Sequence, residues 1–334
     1  MGSITSNIST PNTEIQYGER LLPQIVDEAA ITTPDRIVGK IAKSSDITNG
    51  FTDVTMNGLS HAINFAAHWI DEHLGQSSST QTFAYVGAAD FRYMVMEVAA
   101  IKCGHQALIF SPRNAFSHNI ALFNSAACRT LFYTVEMEPL TKVLVDKLPC
   151  LNIFQVPSWE EMIESPAEHY PYLKTWEEAK NEKFLIMHTS GSTGAPKAIS
   201  FTNGYVATFD TYRFVPSLNG RVPSNLSLLD KGQLTYFGSP MFHMGGVGFA
   251  ISVLFYNYTL VLGPPTQQPT GKIVIDIMRE LEIGAMVVIP SLLENVIKEH
   301  GKEFVDYSSA LEYLFWIGGK SFRAIADSEG GSPN

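Results

Sequence analysis

Between residues 82 and 156, short apolar runs alternate with amphipathic stretches, and no other feature of the chain restricts the fold as much. TFAYVG, HQALIFS, RTLFYT and LNIFQV are short enough, and rich enough in aromatic and branched residues, to be strands. Between them DFRYMVMEVAAIKCG, NAFSHNIALFNSAAC and EPLTKVLVDKL read as helices, the first with Asp90 placed as its N-cap. Strand-helix-strand repetition of this kind predicts an α/β fold with helix-flanked, mostly parallel sheets. Ligands are then expected near the carboxyl ends of the strands.

The rest of the chain extends the pattern. Leu59, Ile63, Ala66 and Ile70 recur at helical spacing and Gly75 suits the position just past the helix end. FLIMHT, KAISF, TYFGSP, AMVVIP and LEYLFWIGG read as further strands, and KIVIDIMREL and SLLENVIKEH as helices. The charged, Pro-interrupted segment SWEEMIESPAEHYPYLKTWEEAKNEK looks like a surface connection. The expected division is a flexible tail over 1–20, one α/β subdomain over 21–180, a second over 181–320, and a frayed tail over 321–334.

Of 334 residues, 45% are hydrophobic and only 17% charged, below the roughly 25% of an average soluble domain. No Asp, Glu, Lys or Arg occurs between Gly232 and Gly271. Asn257 and Pro264-Pro265 break that stretch well short of the ~20 consecutive apolar residues of a membrane span. It reads instead as a buried helix over Val247 to Phe255 and a buried strand over Thr259 to Leu262. The net charge of −10 and the absence of a basic run argue against nucleic-acid binding. Cys103, Cys128 and Cys150 show no disulfide or zinc spacing and read as reduced, buried thiols. The N-terminus has no apolar core of a secretory signal, so a cytoplasmic protein, off the membrane, is expected.

The chemistry concentrates in Thr189-Ser-Gly-Ser-Thr-Gly-Ala-Pro-Lys197, directly after a buried strand. Gly191 and Gly194 let the backbone turn tightly against an anion. Successive N–H groups can cradle phosphate oxygens. Thr189, Ser190, Ser192 and Thr193 add hydroxyl donors, and Lys197 a positive charge. A Walker loop needs Gly before its Lys and Ser or Thr after it. Here Pro196 precedes Lys197 and Ala198 comes after, and a strand rather than a helix is next, so a kinase or ATPase of that type is disfavoured.

TSGSTGAPK resembles the signature loop of the adenylate-forming (AMP-binding) superfamily, which holds acyl-CoA synthetases, luciferases and the adenylation domains of nonribosomal peptide synthetases. The resemblance runs from about Leu21 to Lys320. LLPQIVDEAAITTPDR, YVGAADFRYMVMEVAAIKCGHQALIFSPRN and KTWEEAKNEKFLIMHTSGSTG are similar to fungal NRPS-like adenylate-forming reductases, at the N-terminal part of their adenylation domain. The implied function is ATP-dependent activation of a carboxylic acid as its acyl-adenylate, in fungal secondary metabolism. Lys197 and His243, in SPMFHMGG, fall at catalytic positions, and both would also contact nucleotide together with residues 189–194. Gly318 and Gly319 sit where the family packs adenine, although an ordinary glycine turn fits them equally. Gly245, Gly246, Phe249 and Ser291 are candidates to line the acid's pocket, or to be core. His188 reads as structural.

The family's pattern continues past Lys320. The glutamate that helps hold magnesium, the ribose-binding aspartate and the small C-terminal domain with its lysine are not found here. ATP is the implied cofactor, with Mg usual in the family, and no metal ligand is assigned in this chain. A carrier protein or reductase would act as partner in trans. The alternative reading is a truncated, non-catalytic remnant or interaction module with residual nucleotide binding.

Overall fold

A computed structural model describes residues 15–75, 79–189, 197–220 and 229–318. Twelve strands form two six-stranded sheets. The first runs β2 (Phe51–Thr55), β1 (Ile37–Ala42), β10 (Thr259–Leu262), β9 (Leu234–Gly238), β11 (Ile283–Val288), β12 (Tyr313–Trp316). The second runs β6 (Asn152–Gln155), β5 (Thr130–Tyr133), β3 (Thr82–Val86), β4 (Gln106–Ile109), β7 (Lys183–Thr189), β8 (Lys197–Thr202). Every pairing is parallel except the two edge hairpins, β1 with β2 and β7 with β8.

The two-residue period of the strands sorts their side chains into layers. Phe83 and Tyr85 point into a core shared by both sheets, while Ala84 and Val86 face outward onto α4 (Phe116–Ser125) and α5 (Glu138–Lys147). In the first sheet Leu260, Leu262, Ala285 and Val287 join the shared core, whereas Val261, Met286 and Val288 face α10 (Gly271–Glu280) and α11 (Pro290–Tyr307). Between the sheets lie α1 (Leu22–Thr32), α2 (Met56–Leu74), α3 (Arg92–Cys103) and α9 (Met244–Ser252). Helix α3 is buried on every side, from Arg92 to Lys102, which is what a helix sandwiched between two sheets must be. Its carboxyl-terminal Lys102 is held there by Asp27 at 2.7 Å, Asn64 at 2.8 Å and the Tyr170 carbonyl at 3.0 Å.

This layering redraws the expected division of the chain. Residue 180 does not separate the sheets: β1 and β2 belong with β9 to β12, and β7 and β8 complete the sheet begun at β3. Hydrophobic periodicity gives a strand's faces but not its neighbours, so the interleaving was not visible in the sequence. The N-terminal tail is also shorter than the expected 1–20. The Gly18 N–H and the Arg20 guanidinium both donate to the buried Asp210 carboxylate, at 3.1 and 2.6–2.7 Å. Residues 1–14 and the expected tail over 321–334 lie outside the described residues. The segment over 157–182 carries two short helices, α6 (Trp159–Glu164) and α7 (Trp176–Ala179), that bury Trp159, Met162 and Ala179. Cys128 is buried as expected, but Cys150 is exposed. No helix among the described residues is long and apolar enough to cross a membrane.

Candidate functional site

Both sheets change direction at an inner strand. From β3 the chain goes first to β4 on one side and later to β5 on the other; from β9 it goes to β10 and then to β11. The crevice outside the carboxyl end of such a strand is where α/β sheets bind ligands. Here the two crevices face each other. A cavity of about 440 Å³ is lined by residues 87–89 after β3, 239–242 after β9 and 264–269 after β10. The Ala89 N–H donates to the Pro265 carbonyl at 2.9 Å, tying the two sheets together at this end. The Tyr236 and Ser239 hydroxyls on the cavity wall are buried without hydrogen-bond partners among the described residues, groups that a bound polar molecule would satisfy.

The glycine-rich loop leaves the second sheet beside this crevice. Strand β7 is buried from Phe184 to Met187, and its last residue, Thr189, pairs in antiparallel register with Lys197, the first of β8. The turn is therefore strand-to-strand, as the order Pro196-Lys197-Ala198 suggested. Thr189 and Lys197 are both exposed at its mouth. Ser190, Gly191, Ser192, Thr193 and Gly194 lie outside the described residues, as does Gly319.

His188 anchors the strand end. Its Nε2 accepts the Ser111 N–H at 3.1 Å and lies 3.3 Å from the Asn114 amide, which in turn donates to the fully buried Asn119 at 3.0 Å. An accepting Nε2 places the ring proton on Nδ1, a buried atom without a partner among the described residues. Burial first, and the neighbouring His243 second, lower the His188 pKa. His243 is lowered too, by burial and then by Arg113. Both imidazoles are thus neutral at pH 7, and positive charge at the site comes from Lys197 and Arg113.

His243 caps α9 with extended backbone, φ −111° and ψ 153°. The helix starts earlier than the expected Val247 because the glycines after the cap let it turn at once. A Cβ built on Gly246 would overlap the Pro240 carbonyl oxygen and stand 2.9 Å from Met241 Cα, so only glycine lets the first turn fold back on that loop. The neighbours are backbone and cannot move aside. Gly246→Ala is expected to cost about 1–3 kcal/mol, read as a fall in the urea midpoint; an unchanged midpoint would contradict this packing account. The observed contact explains Gly246 without a ligand.

Gly245 faces the turn after β12: a Cβ there would overlap the Ile317 Cδ1 atom. The His243 segment and the turn after β12 are thus in contact at Gly245 and Ile317. Gly318 has φ +74° and open space where a Cβ would be. Phe249 is half-buried between Phe237 and Phe315, with ring centroids at 6.0 and 6.2 Å. Ser291 is exposed, while its neighbour Leu292 turns to the cavity wall. The sequence reading missed Arg113, whose guanidinium stacks 5.4 Å from the Phe242 ring, and the Ser111–Asn114–Asn119 clamp. Only the fold shows that the loop Ser111-Pro-Arg-Asn114 braces the end of β7.

A model of the AMP-binding enzyme family matches residues 26–327. The chain belongs to the AMP-binding enzyme family. Among curated AMP-binding relatives, an isocyanide synthase–NRPS hybrid, crmA, from Aspergillus fumigatus is 30% identical over 88% of this chain and 19% of its own length. A carboxylic acid reductase from Neurospora crassa is 28% identical over 85% of the chain and 27% of its own length. The chain thus spans about a fifth to a quarter of these relatives. Among solved AMP-binding structures, the inhibitor-bound N-terminal domain of FACL13 from Mycobacterium tuberculosis superposes with TM-score 0.74 at 16% identity, covering 93% of this chain and 73% of that one. The Bacillus subtilis o-succinylbenzoate CoA synthetase with its acyl-adenylate OSB-AMP gives 0.65 at 17% identity, over 90% and 69%. At these identities the structures speak for the fold alone. The two sheets are those of an acyl-CoA synthetase-type N-terminal domain.

Proposed function

We propose that the chain binds ATP at the β7–β8 turn and activates a carboxylic acid as its acyl-adenylate, within fungal secondary metabolism. The observation that carries the reading is the meeting, at the carboxyl ends of both sheets, of the strand end at His188, the exposed Lys197 and the His243 cap. The reaction joins an oxygen of the acid to the α-phosphorus and breaks the bond from that phosphorus to the bridging oxygen of pyrophosphate. The protein's part is positioning and charge neutralisation.

In this reading the loop's N–H groups and Lys197 hold the phosphates. Neutral His188 keeps the strand end in register without adding charge. The acid in this reading lies beside the closed Gly245–Ile317 contact, with Phe249 and Gly318 as further candidate walls. The crmA hybrid and the carboxylic acid reductase are several times longer than this chain, and such a unit is one part of each. A carrier or reductase partner supplied by another domain or chain fits the reading as acceptor of the activated acid.

Lys197→Ala tests it directly. A charge-assisted hydrogen bond contributes about 1.5–3 kcal/mol, so ATP affinity by calorimetry should fall about tenfold to a hundredfold with the fold intact. Unchanged affinity would refute the assignment of this turn to phosphate.

A further inference from the structure

At the opposite end of the second sheet, three side chains from separate elements converge. Asp71 lies near the end of α2, Cys103 ends α3, and His105 precedes β4. A carboxylate oxygen, the sulfur and a ring nitrogen of these residues all lie within 4.8 Å of one another. Of the three, Asp71 is oriented by an outer donor as a ligand would be. Asp71 Oδ2 accepts the Tyr170 hydroxyl at 2.7 Å, and among the described residues Asp71 forms no ion pair. Cys103 donates only to the Ala99 carbonyl of its own helix, at 2.9 Å, and more weakly to that of Ala100. His105 is 2% exposed; its Nδ1 accepts the Gln81 N–H at 3.2 Å, and its buried Nε2 has no hydrogen-bond partner among the described residues.

We propose that Asp71, Cys103 and His105 form a zinc site. One carboxylate and one thiolate balance the charge of a divalent cation, and an oxygen, a sulfur and a nitrogen are the donors that zinc accepts, with water in the fourth position. Sulfur and imidazole together disfavour magnesium and calcium. On binding, the Cys103 thiol releases its proton to solvent and the sulfur bonds the metal. The His105 ring proton moves from Nε2 to Nδ1 and frees Nε2 as the ligand; because Nδ1–H would then face the Gln81 N–H, donor against donor, the ring must turn away from Gln81 as the metal binds. Metal–ligand bonds of about 2.0–2.3 Å require the three groups to close by about 1 Å, within reach of side-chain rotation. Tyr170 is the outer partner that orients the carboxylate. The metal would lock the ends of α2 and α3 and the start of β4 to the segment carrying Tyr170, remote from the nucleotide.

The test is a Co²⁺ titration of the chelator-stripped chain. A near-ultraviolet thiolate-to-cobalt band that saturates at one equivalent, is displaced by Zn²⁺ and is accompanied by a rise in Tm is expected. Cys103→Ser should abolish the band while Cys150→Ser keeps it, both variants being checked for fold by circular dichroism. Tyr170→Phe, which keeps all three ligands, should weaken Co²⁺ binding about tenfold or more. Absence of a band in the unmodified chain, or a band that survives Cys103→Ser, would overturn the proposal.

Discussion

Asp210→Ala is expected to lower the unfolding free energy by about 3–5 kcal/mol, the usual cost of removing one partner from a buried ionic cluster. The Asp210 side chain has no exposed surface, while Arg20 and Arg213 retain 24% and 18%. Its two oxygens accept from Arg20 at 2.6 and 2.7 Å, from Arg213 at 3.1 Å and from the Gly18 N–H at 3.1 Å. Both guanidiniums also lie against the Tyr17 ring, at 5.2 and 4.2 Å from its centroid. Without the carboxylate, Arg20 would lose its ion-pair partner, Arg213 would keep only the longer pair to Asp230 at 3.4 Å, and residues 17–20 would lose their anchor. Urea unfolding of the variant measures this. Susceptibility of the N-terminal segment to proteolysis should rise in parallel. A loss below about 1 kcal/mol would mean that the cluster relaxes into solvent and is worth no more than a surface pair.

Glu97→Met is expected to do the opposite. Glu97 sits in the middle of α3, 1% exposed, with neither carboxylate oxygen hydrogen-bonded among the described residues. Burial pushes its pKa well above the ordinary carboxylate range, so the folded protein keeps it protonated. An unsatisfied buried polar group costs about 1–3 kcal/mol, and methionine of similar length removes that cost. The pH dependence has a definite sign. Above the unfolded pKa of about 4.3 the unfolded chain releases this proton while the folded chain holds it. Stability therefore falls as pH rises from there toward the raised folded pKa. Glu97→Met should remove this contribution, so its advantage should be larger at pH 8 than at pH 5. Equal stability of the two proteins at both pH values would show that Glu97 is satisfied by a partner.

The two residues differ in legibility. The sequence marks α3 as a helix between strands, but not that a second sheet covers its other face. An amphipathic reading therefore leaves no reason to bury Glu97 or Lys102. The same cause displaced the boundary at residue 180, since strand spacing is local and the pairing of β1 with β10 is not. At the candidate site, the family to which the glycine-rich segment points was readable because that segment is a compact run with its own chemistry. Arg113 and Asn114 were not, since their role depends on a loop reaching His188 across the sheet. Ser291 was chosen one residue from Leu292, which the turn of α11 directs to the cavity. Asp71, Cys103 and His105 lie too far apart along the chain for any ligand-spacing pattern to join them.

Activation of a carboxylic acid with ATP, at the turn closed by Thr189 and Lys197, is the central claim. Acid-dependent exchange of labelled pyrophosphate into ATP, measured across fatty, aryl and keto acids, tests it most directly. The predicted result is exchange that requires one class of acid and collapses in Lys197→Ala. Folded protein that melts cooperatively, yet shows no exchange with any acid, would contradict it.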